Sequence, residues 1–334
     1  MTRSNPSVLE DALTDWLNTA EYEKSEETVK NYRSLARRLT EFAEREGIES
    51  PEELDGRVLL NFKVWRGQEV TPASVQQNLS CLRVFLRYCQ QVELAPDGLV
   101  DKVPDVRKAG TPREELVEPE TAQAVLQRLS RFQYASRDHA LFALLWNTAL
   151  RTGATRSLDL EDCYFAEGYV ELVHRPETDT PLKNGKDSER EVNLSRDVAD
   201  VLADYVEHQR IDKKDDHGRE PLFTTRHGRI SAQAFSRIIR GLTRPCWYGD
   251  ECPHGREIDE CPASSNVNKT SDCPSTVTGH PLRRGSITYH LNQDVPKAVV
   301  SDRCDVSVDV LERHYNQQTE REKREVRKAY LDDL

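Results

Sequence analysis

The sequence predicts a mainly α-helical protein that carries a small antiparallel β-sheet. Apolar residues recur at helical spacing along most of the chain. Two short runs, residues 169–173 and 190–194, are instead typical of strands, and the polar residues 183–186 between them favour a turn. One representative helical stripe consists of Val29, Tyr32, Leu35, Leu39 and Phe42.

The helices can be placed from their apolar stripes and their start signals. Residues 6–92 are predicted to form four helices, the last beginning with Thr71 as N-cap and a proline at its first position. Pro119 opens a helix that is predicted to run to Arg131, and a helix at about 137–150 is apolar nearly all round and therefore buried. Further helices are predicted at about 196–211, 231–243, 281–291, 295–303, 307–314 and 319–331.

A chain of 334 residues is expected to form about two domains, each able to bury its own core. We predict a helical domain at residues 1–95 and a second domain at residues 118–334. Proline and glycine recur in residues 96–117, which are therefore predicted to be the linker. A cysteine-rich insertion is predicted at residues 246–279 of the second domain.

The composition is that of a soluble protein, with 37% hydrophobic and 31% charged residues. No apolar run approaches the roughly 18 residues that span a bilayer, and the N-terminus has no signal-peptide core. We therefore expect a cytoplasmic protein without membrane partners and without disulfides.

The net charge of −11 argues against nucleic-acid binding only if local fields are ignored. Of the 47 basic residues 13 are lysines, which leaves 47 − 13 = 34 arginines, the cation that pairs bidentately with phosphate. An acidic, lysine-poor and arginine-rich composition also suits a cytoplasm of high salt, so we expect a halophilic host.

Five residues suited to attack on a phosphodiester are spread along the second domain. Arg151 and Arg283 could each grip two phosphate oxygens, because a guanidinium is planar and stays charged. Tyr315 offers a hydroxyl nucleophile, which such charges would activate. Lys183 or His280 could supply the proton that the leaving oxygen needs, so the scheme requires no metal and no cofactor.

The order Arg, Lys, His-x-x-Arg, Tyr resembles the tyrosine recombinases, also called the phage-integrase or Xer-like family. Residues 148–162 resemble the family's first arginine box, residues 280–291 its second box and residues 308–315 its nucleophile segment. Residues 6–95 resemble its N-terminal core-binding domain. The resemblance implies a helical core-binding domain and a catalytic domain that together form a clamp around double-stranded DNA.

The resemblance also implies a mechanism and an assembly. Tyr315 would form a 3′-phosphotyrosyl link while Arg151 and Arg283 stabilise the charge, His280 assists as donor or base, and Lys183 protonates the leaving oxygen. Such enzymes act as a tetramer on DNA, and we expect a monomer in free solution. Tyr315, 32 residues after Arg283, is favoured over Tyr289 and Tyr330 as the nucleophile.

Three positions depart from the family's pattern or leave a choice open. Ala154 stands where the family commonly has a supporting acid. A further position, often His or Trp, falls near Val306, and Arg303 is the nearest residue that could replace it. Lys186 is the alternative to Lys183 on the predicted hairpin.

Basic residues on two helices of the first domain are the predicted DNA contacts. In the family the second and fourth helices of this domain cross the major groove. The alternative for each side chain is a solvated helix face. The predicted contacts are Lys30, Arg33, Arg37, Arg83 and Arg87.

Four of the eight cysteines, Cys246, Cys252, Cys261 and Cys273, cluster in the insertion. A tetrahedral structural zinc could stabilise a loop so rich in glycine, proline and serine, although the spacing departs from paired C-x-x-C. Free thiols and disulfides are the alternatives. If zinc binds, we expect it to position the second box.

The function predicted from these residues is site-specific DNA recombination through a phosphotyrosyl intermediate. One alternative is a sequence-specific DNA-binding regulator that retains the fold without strand exchange. Ala154 and the unfilled position near Val306 favour that alternative. A monomeric topoisomerase-like activity would share the chemistry.

Overall fold

Helices dominate both units into which the chain divides, Met1–Glu114 and Glu115–Leu334. The structure, a computed structural model, describes residues 7–106, 115–249, 251–293 and 295–314. Each unit has its own buried apolar core, as expected for separate domains. The predicted fold class, mainly helical with small antiparallel sheets, is confirmed.

The first unit contains the four predicted helices, whose starts follow from local capping. Ser7 forms a capping box with Glu10, and Thr71 accepts a hydrogen bond from the backbone of the following turn. Beyond the fourth helix, Leu99 and Val103 still pack into this core. The helices are α1 Val8–Glu23, α2 Glu26–Glu46, α3 Gly56–Glu69 and α4 Pro72–Gln91.

The second unit is built around α6, whose residues are buried nearly all round. The helices predicted between 119 and 314 are present, with ends shifted by a few residues. The predicted helix at 319–331 lies outside the described residues. The helices are α5 Pro119–Phe132, α6 Arg137–Thr148, α7 Thr152–Ser157, α8 Arg196–His208, α9 Ala232–Leu242, α10 Pro245–Tyr248, α11 Pro262–Ser265, α12 Gly279–Asn292, α13 Lys297–Cys304 and α14 Val308–His314.

Three strands form an antiparallel sheet in the order β1 (Cys163–Tyr164), β2 (Tyr169–Leu172), β3 (Arg190–Asn193). β2 and β3 are the two strands that the sequence predicts. A second, two-stranded sheet pairs β4 (Thr224–Thr225) with β5 (Gly228–Arg229), and the sequence analysis missed it.

The chain turns at residues 183–186 as predicted, with the Gly185 N–H donating to the carbonyl oxygen of Leu182 at 3.2 Å, but this turn is only part of the connection between β2 and β3. The strands pair, with Leu172 opposite Arg190, but residues 173–189 form a long excursion with two 3-10 turns. Thr180 and Leu182 are buried, so this long connection folds back against the domain.

Buried ion pairs fix the loop that follows α7. Asp159 is 2% exposed and pairs with Arg219 and Arg229, while Arg175 pairs with the neighbouring Asp162 at 2.6 Å. A buried carboxylate is costly unless cations and hydrogen bonds compensate it, and here several guanidinium groups do so. The loop after α7 is thereby tied to the β4–β5 hairpin.

Within the described ranges, none of the helices is long and apolar enough to cross a membrane.

Candidate active site

Arg151 lies between the buried helix α6 and the short helix α7. Ala149 ends α6 in the left-handed conformation, with φ of +52°, and Arg151 is the N-cap of α7. The side chain of Arg151 is 32% exposed. The break between the two helices therefore turns this guanidinium out of the core towards the surface.

The second box lies on α12, which packs closely against the segment around Arg151. A Cβ atom on Gly279 would lie 2.8 Å from Oγ1 of Thr152 and 3.1 Å from the ring of Phe235. Only glycine fits at this approach, and His280 follows it in the first turn of α12. The first and second boxes are thus held together by close packing at Gly279.

Arg283 is 5% exposed and links three segments. Its Nη1 donates to the carbonyl oxygen of Ala149 at 2.6 Å, and its Nη2 donates to that of Cys304 at 2.7 Å. The end of α6 and the end of α13 are therefore bound to the second box through one guanidinium.

His280 is exposed at the edge of this group. Desolvation lowers the pKa of its imidazole, and the charges of Arg284, Arg283 and Arg151 lower it further. The imidazole is therefore neutral near pH 7, where it can accept a proton at one ring nitrogen and donate a hydrogen bond from the other. Gly279, directly before His280, lies against Thr152, directly after Arg151, so the chain segments that carry these two residues are neighbours.

Asp305, which was not predicted from the sequence, faces Arg151. Nη1 of Arg151 pairs with the Asp305 carboxylate, and Nη2 donates to the Asp305 carbonyl oxygen at 2.6 Å. Ser188 donates to the same carboxylate at 2.7 Å. Burial alone would raise the pKa of Asp305, but the bond from Ser188 and the charge of Arg151 outweigh it, so the pKa lies below its ordinary value.

Arg151 and Asp305 open onto a cavity of about 540 Å³. A second arginine, Arg190 at the start of β3, also lines this cavity and donates to the carbonyl oxygen of Ser188 at 2.7 Å. Arg190 could have been considered from the sequence, since it is the first residue of the predicted strand and directly follows the segment that carries Lys183 and Lys186. The other lining residues are Asn184, Asp187, Glu189, Ser301, Asp302, Val306, Ser307 and Val310.

The two lysine candidates are both exposed on the 173–189 excursion. Lys183 precedes Asn184, whose side chain donates to Asp305 at 3.1 Å, so its backbone lies at the edge of the cavity. Lys186 is the second residue of the 3-10 turn Gly185–Ser188. The structure thus leaves both lysines near the site.

Arg303 is bound elsewhere. Its Nη1 donates to the carbonyl oxygen of Asn193 at 2.7 Å and its Nη2 to that of Asn147 at 2.9 Å. These bonds join β3 to the end of α6, and Arg303 does not line the cavity around Arg151. Val306 does line it, and its side chain offers no hydrogen bond.

Tyr315, the predicted nucleophile, lies outside the described residues. The last described helix, α14, ends at His314 immediately before it. Leu311 of that helix packs with Ala149, Ile287 and Val300. This small core brings the α14 segment to the same region as the arginines.

The predicted DNA contacts of the first unit differ in how they are bound. Lys30, Arg37 and Arg87 are exposed, and Arg33 is an exposed partner of Glu21 at 2.7 Å. Arg83 instead donates to the carbonyl oxygen of Val103 at 3.1 Å and pairs with Asp105 at 2.7 Å.

The cysteine-rich insertion folds as short helical turns that pack against α9. Cys261 and Cys273 are buried together with Ala263. Burial raises the pKa of Cys246, and Cys252 and Cys273 lie near enough to add to the effect. Over the described ranges no three or more His, Cys, Asp or Glu side chains form a group that could hold a metal ion, so the predicted zinc site is not supported.

The physical reason is that the insertion is held by hydrogen bonds of its own. Thr276 donates to the carbonyl oxygens of Thr270 and Cys273 at 3.1 and 3.0 Å. The backbone N–H of Val277 donates to Thr243 at 3.1 Å, which ties the end of the insertion to α9.

The sequence matches one protein family and several tyrosine recombinases. The sequence profile of the phage integrase family matches residues 115–321. Tyrosine recombinase XerD of Listeria monocytogenes serotype 4b is 24% identical over 248 residues, which cover 71% of this chain and 78% of that protein.

Two solved structures share the fold. The Tn1549 transposon integrase in complex with a circular intermediate DNA matches with a TM-score of 0.73 and 12% identity, over 97% of this chain and 99% of that one. A lambda integrase dimer bound to a COC′ core site matches with a TM-score of 0.63 and 14% identity, over 94% and 80% of the two chains.

Proposed function

Since this chain belongs to the phage integrase family, the tyrosine site-specific recombinases, we propose that Arg151, His280 and Arg283 bind the DNA phosphate that is cleaved. The observation that carries the proposal is that two boxes more than 100 residues apart in sequence pack together. Gly279, next to His280, lies against Thr152, and Arg283 donates to the carbonyl oxygen of Ala149, two residues before Arg151. The guanidinium groups can stabilise the charge that gathers on the non-bridging oxygens.

We assign the nucleophile to Tyr315. Its hydroxyl oxygen attacks phosphorus, the bond from phosphorus to the 5′ oxygen breaks, and a 3′-phosphotyrosyl ester forms. The phenolic proton must leave, and a neutral His280 can accept it. Lys183 gives a proton to the leaving 5′ oxygen, with Lys186 as the alternative donor. Attack by a second strand's 5′ hydroxyl reverses these steps and rejoins the DNA, so no cofactor is consumed.

The partner of the reaction is double-stranded DNA. The two structural neighbours are described as bound to DNA, which supports the same partner here. In the first unit, Lys30, Arg33, Arg37 and Arg87 are exposed and can reach phosphates. Arg83, a further candidate, would have to leave its bond to Asp105 in order to do so.

The decisive experiment uses a nicked suicide substrate that carries the natural site. Wild-type protein should form a covalent adduct that survives a denaturing gel, without added magnesium. Tyr315→Phe should form none while it binds DNA within about threefold, since only one hydroxyl is removed. An adduct in Tyr315→Phe would refute the assignment, and Tyr330 would be tested next. DNA binding without any wild-type adduct on a verified site would favour the regulator.

We propose a monomer in free solution that assembles as a tetramer on DNA. The neighbouring lambda integrase forms a dimer on its core site, which supports assembly on DNA. Sedimentation of the protein with and without a duplex that carries two binding sites would test the proposal. A stable tetramer without DNA would contradict it.

A structural zinc at Cys246, Cys252, Cys261 and Cys273 stays a prediction from the sequence alone. The proposed reaction draws on no metal. Elemental analysis of protein expressed with zinc would test the prediction, and about one equivalent would be expected for a site of this kind.

A halophilic host is likewise proposed from the acidic, arginine-rich composition. The expected result is a free energy of unfolding that rises with KCl into the molar range, because salt screens the repulsion among excess carboxylates. A decrease over that range would contradict the proposal.

A further inference from the structure

Arg151 is held by one residue through two different acceptors. Nη1 pairs with the Asp305 carboxylate, and Nη2 donates to the Asp305 backbone carbonyl at 2.6 Å. Two contacts fix the plane of a guanidinium, whereas one contact would leave it free to rotate. Of the five N–H groups of an arginine, three remain for a phosphate.

Asp305 is itself fixed from several directions. Ser188 donates to its carboxylate at 2.7 Å, and Asn184 donates at 3.1 and 3.2 Å. Its backbone has φ of +50°, between the end of α13 and the start of α14. The left-handed conformation is one that Asp and Asn adopt more readily than most residues. The direction of the carboxylate is therefore set by the 173–189 excursion and by the turn after α13.

The near neighbours of Arg151 in sequence offer no such acceptor. On a helix, an acid three positions further on could contact the arginine, but Ala154 occupies that position. A long side chain that is 32% exposed would otherwise lose much rotamer freedom when it binds a phosphate. A contact that orders Arg151 before DNA arrives removes part of that cost.

We propose that Asp305 is a positioning residue, which holds the Arg151 guanidinium in the orientation that contacts the scissile phosphate. This inference rests on the proposed function. The opposite role is also physically possible: a carboxylate on this guanidinium could compete with the phosphate for it. The two roles predict opposite changes in the cleavage rate when the carboxylate is removed, so a single substitution separates them.

The test substitution is Asp305→Asn, which preserves size, an acceptor oxygen and tolerance of the left-handed backbone but removes the charge. Single-turnover cleavage at saturating DNA should fall roughly 10-fold, the usual effect of losing a charge-assisted bond. The dissociation constant for DNA should change less than about twofold, because many other phosphate contacts remain. Asp179→Asn is the matched control, since Asp179 also has positive φ (+56°) but is 87% exposed and pairs with His217.

The same substitution made in the Arg151→Lys variant separates positioning of Arg151 from a general structural role. If Asp305 acts through the guanidinium, Asp305→Asn should add less than about twofold to the defect of Arg151→Lys. An equal loss of cleavage rate in the wild type and in Arg151→Lys would overturn the proposal. Faster cleavage or tighter DNA binding by Asp305→Asn would also overturn it, because Asp305 would then be a competitor of the phosphate.

A readout that needs no cleavage distinguishes this inference from the proposed function. In the free protein, Nη signals of Arg151 in NMR spectra, assigned by their loss in Arg151→Lys, should be resolved in the wild type and averaged by rotation in Asp305→Asn. Averaged signals in the wild type would refute the positioning contact. Resolved signals together with an absent wild-type adduct would instead refute the proposed function.

Discussion

Arg283 donates a 2.6 Å hydrogen bond to the carbonyl oxygen of Ala149, two residues before Arg151. The acceptor is accessible because Ala149 leaves the helix with φ of +52°. Both residues are almost fully buried, so the bond forms in surroundings where an unpaired group is costly. The two arginines are therefore coupled: the position of one helps to define the position of the other.

Arg283→Ala should lower both stability and cleavage. Two buried carbonyl oxygens, those of Ala149 and Cys304, would lose their donor, which should cost about 2–4 kcal/mol in the free energy of unfolding. Urea denaturation of the full chain measures this. Arg196→Ala, an exposed change on α8, should stay within about 0.5 kcal/mol. Equal effects of the two substitutions would contradict the buried role of Arg283.

Gly285→Ala should destabilise the second unit by about 1–3 kcal/mol. A Cβ atom at Gly285 would collide with the backbone carbonyl of Val117, whose own N–H donates to Pro281 at 3.2 Å. Gly153→Ala is the matched change, because nothing lies within 4 Å of the added atom. It should stabilise α7 by about 0.5–1 kcal/mol. Thermal unfolding of both variants tests the pair, and a stable Gly285→Ala protein would contradict the close approach.

The elements with strong periodicity could be predicted from the sequence. The four helices of the first unit and the buried helix α6 follow from apolar stripes and capping residues near their starts. The excursion between β2 and β3 could not be predicted, because its course depends on burial of Thr180 and Leu182 against distant elements. A local turn pattern cannot report such tertiary contacts.

Only part of the candidate site could be predicted from the sequence, because some of its contacts join residues that are distant in the chain. Arg151, His280 and Arg283 could be chosen because their chemistry and order suit a phosphate site, and their role stays a prediction. Asp305 was missed because its role depends on a contact 154 positions away in sequence. Arg303 was chosen from its place in the chain, whereas its guanidinium bonds to Asn147 and Asn193 could be known only from the fold.

Cleavage should lose efficiency only at a pH below the ordinary pKa of histidine, which is about 6.5. The pKa of His280 is lowered by desolvation and by Arg284, Arg283 and Arg151, so the imidazole stays neutral at pH 7 and is protonated only as the pH falls through the lowered value. Because kcat/KM reports ionisations of the free enzyme, its acidic limb should follow this protonation. His280→Gln, which cannot ionise, should lack that limb. An unchanged acidic limb in the variant would assign the ionisation to another group.

Arg87→Ala and Arg83→Ala should have different effects on DNA binding. Arg87 is exposed on α4, so its loss should weaken binding to all sequences and reduce the slope of log K against log salt by about 1. Arg83 is bound to Val103 and Asp105, so its loss should lower the free energy of unfolding by about 1 kcal/mol and leave the salt slope unchanged. Fluorescence anisotropy at several salt concentrations measures the slopes. A reduced slope for Arg83→Ala would show that this residue reaches a phosphate.

Truncation after Gln318 should weaken cooperative binding and strand exchange more than binding to a single site. The removed segment carries Val326, Ala329, Tyr330 and Leu331 among many charged residues, and the helix predicted from the sequence would place these four on one narrow apolar side. Such a stripe is too small for a strong interface on its own, so it can hold protomers together only when DNA has already brought them close. Band-shift titrations on one-site and two-site duplexes separate the two effects. If the truncated protein assembles and recombines like the full chain, the segment packs within its own subunit and the proposed tetramer must use another surface.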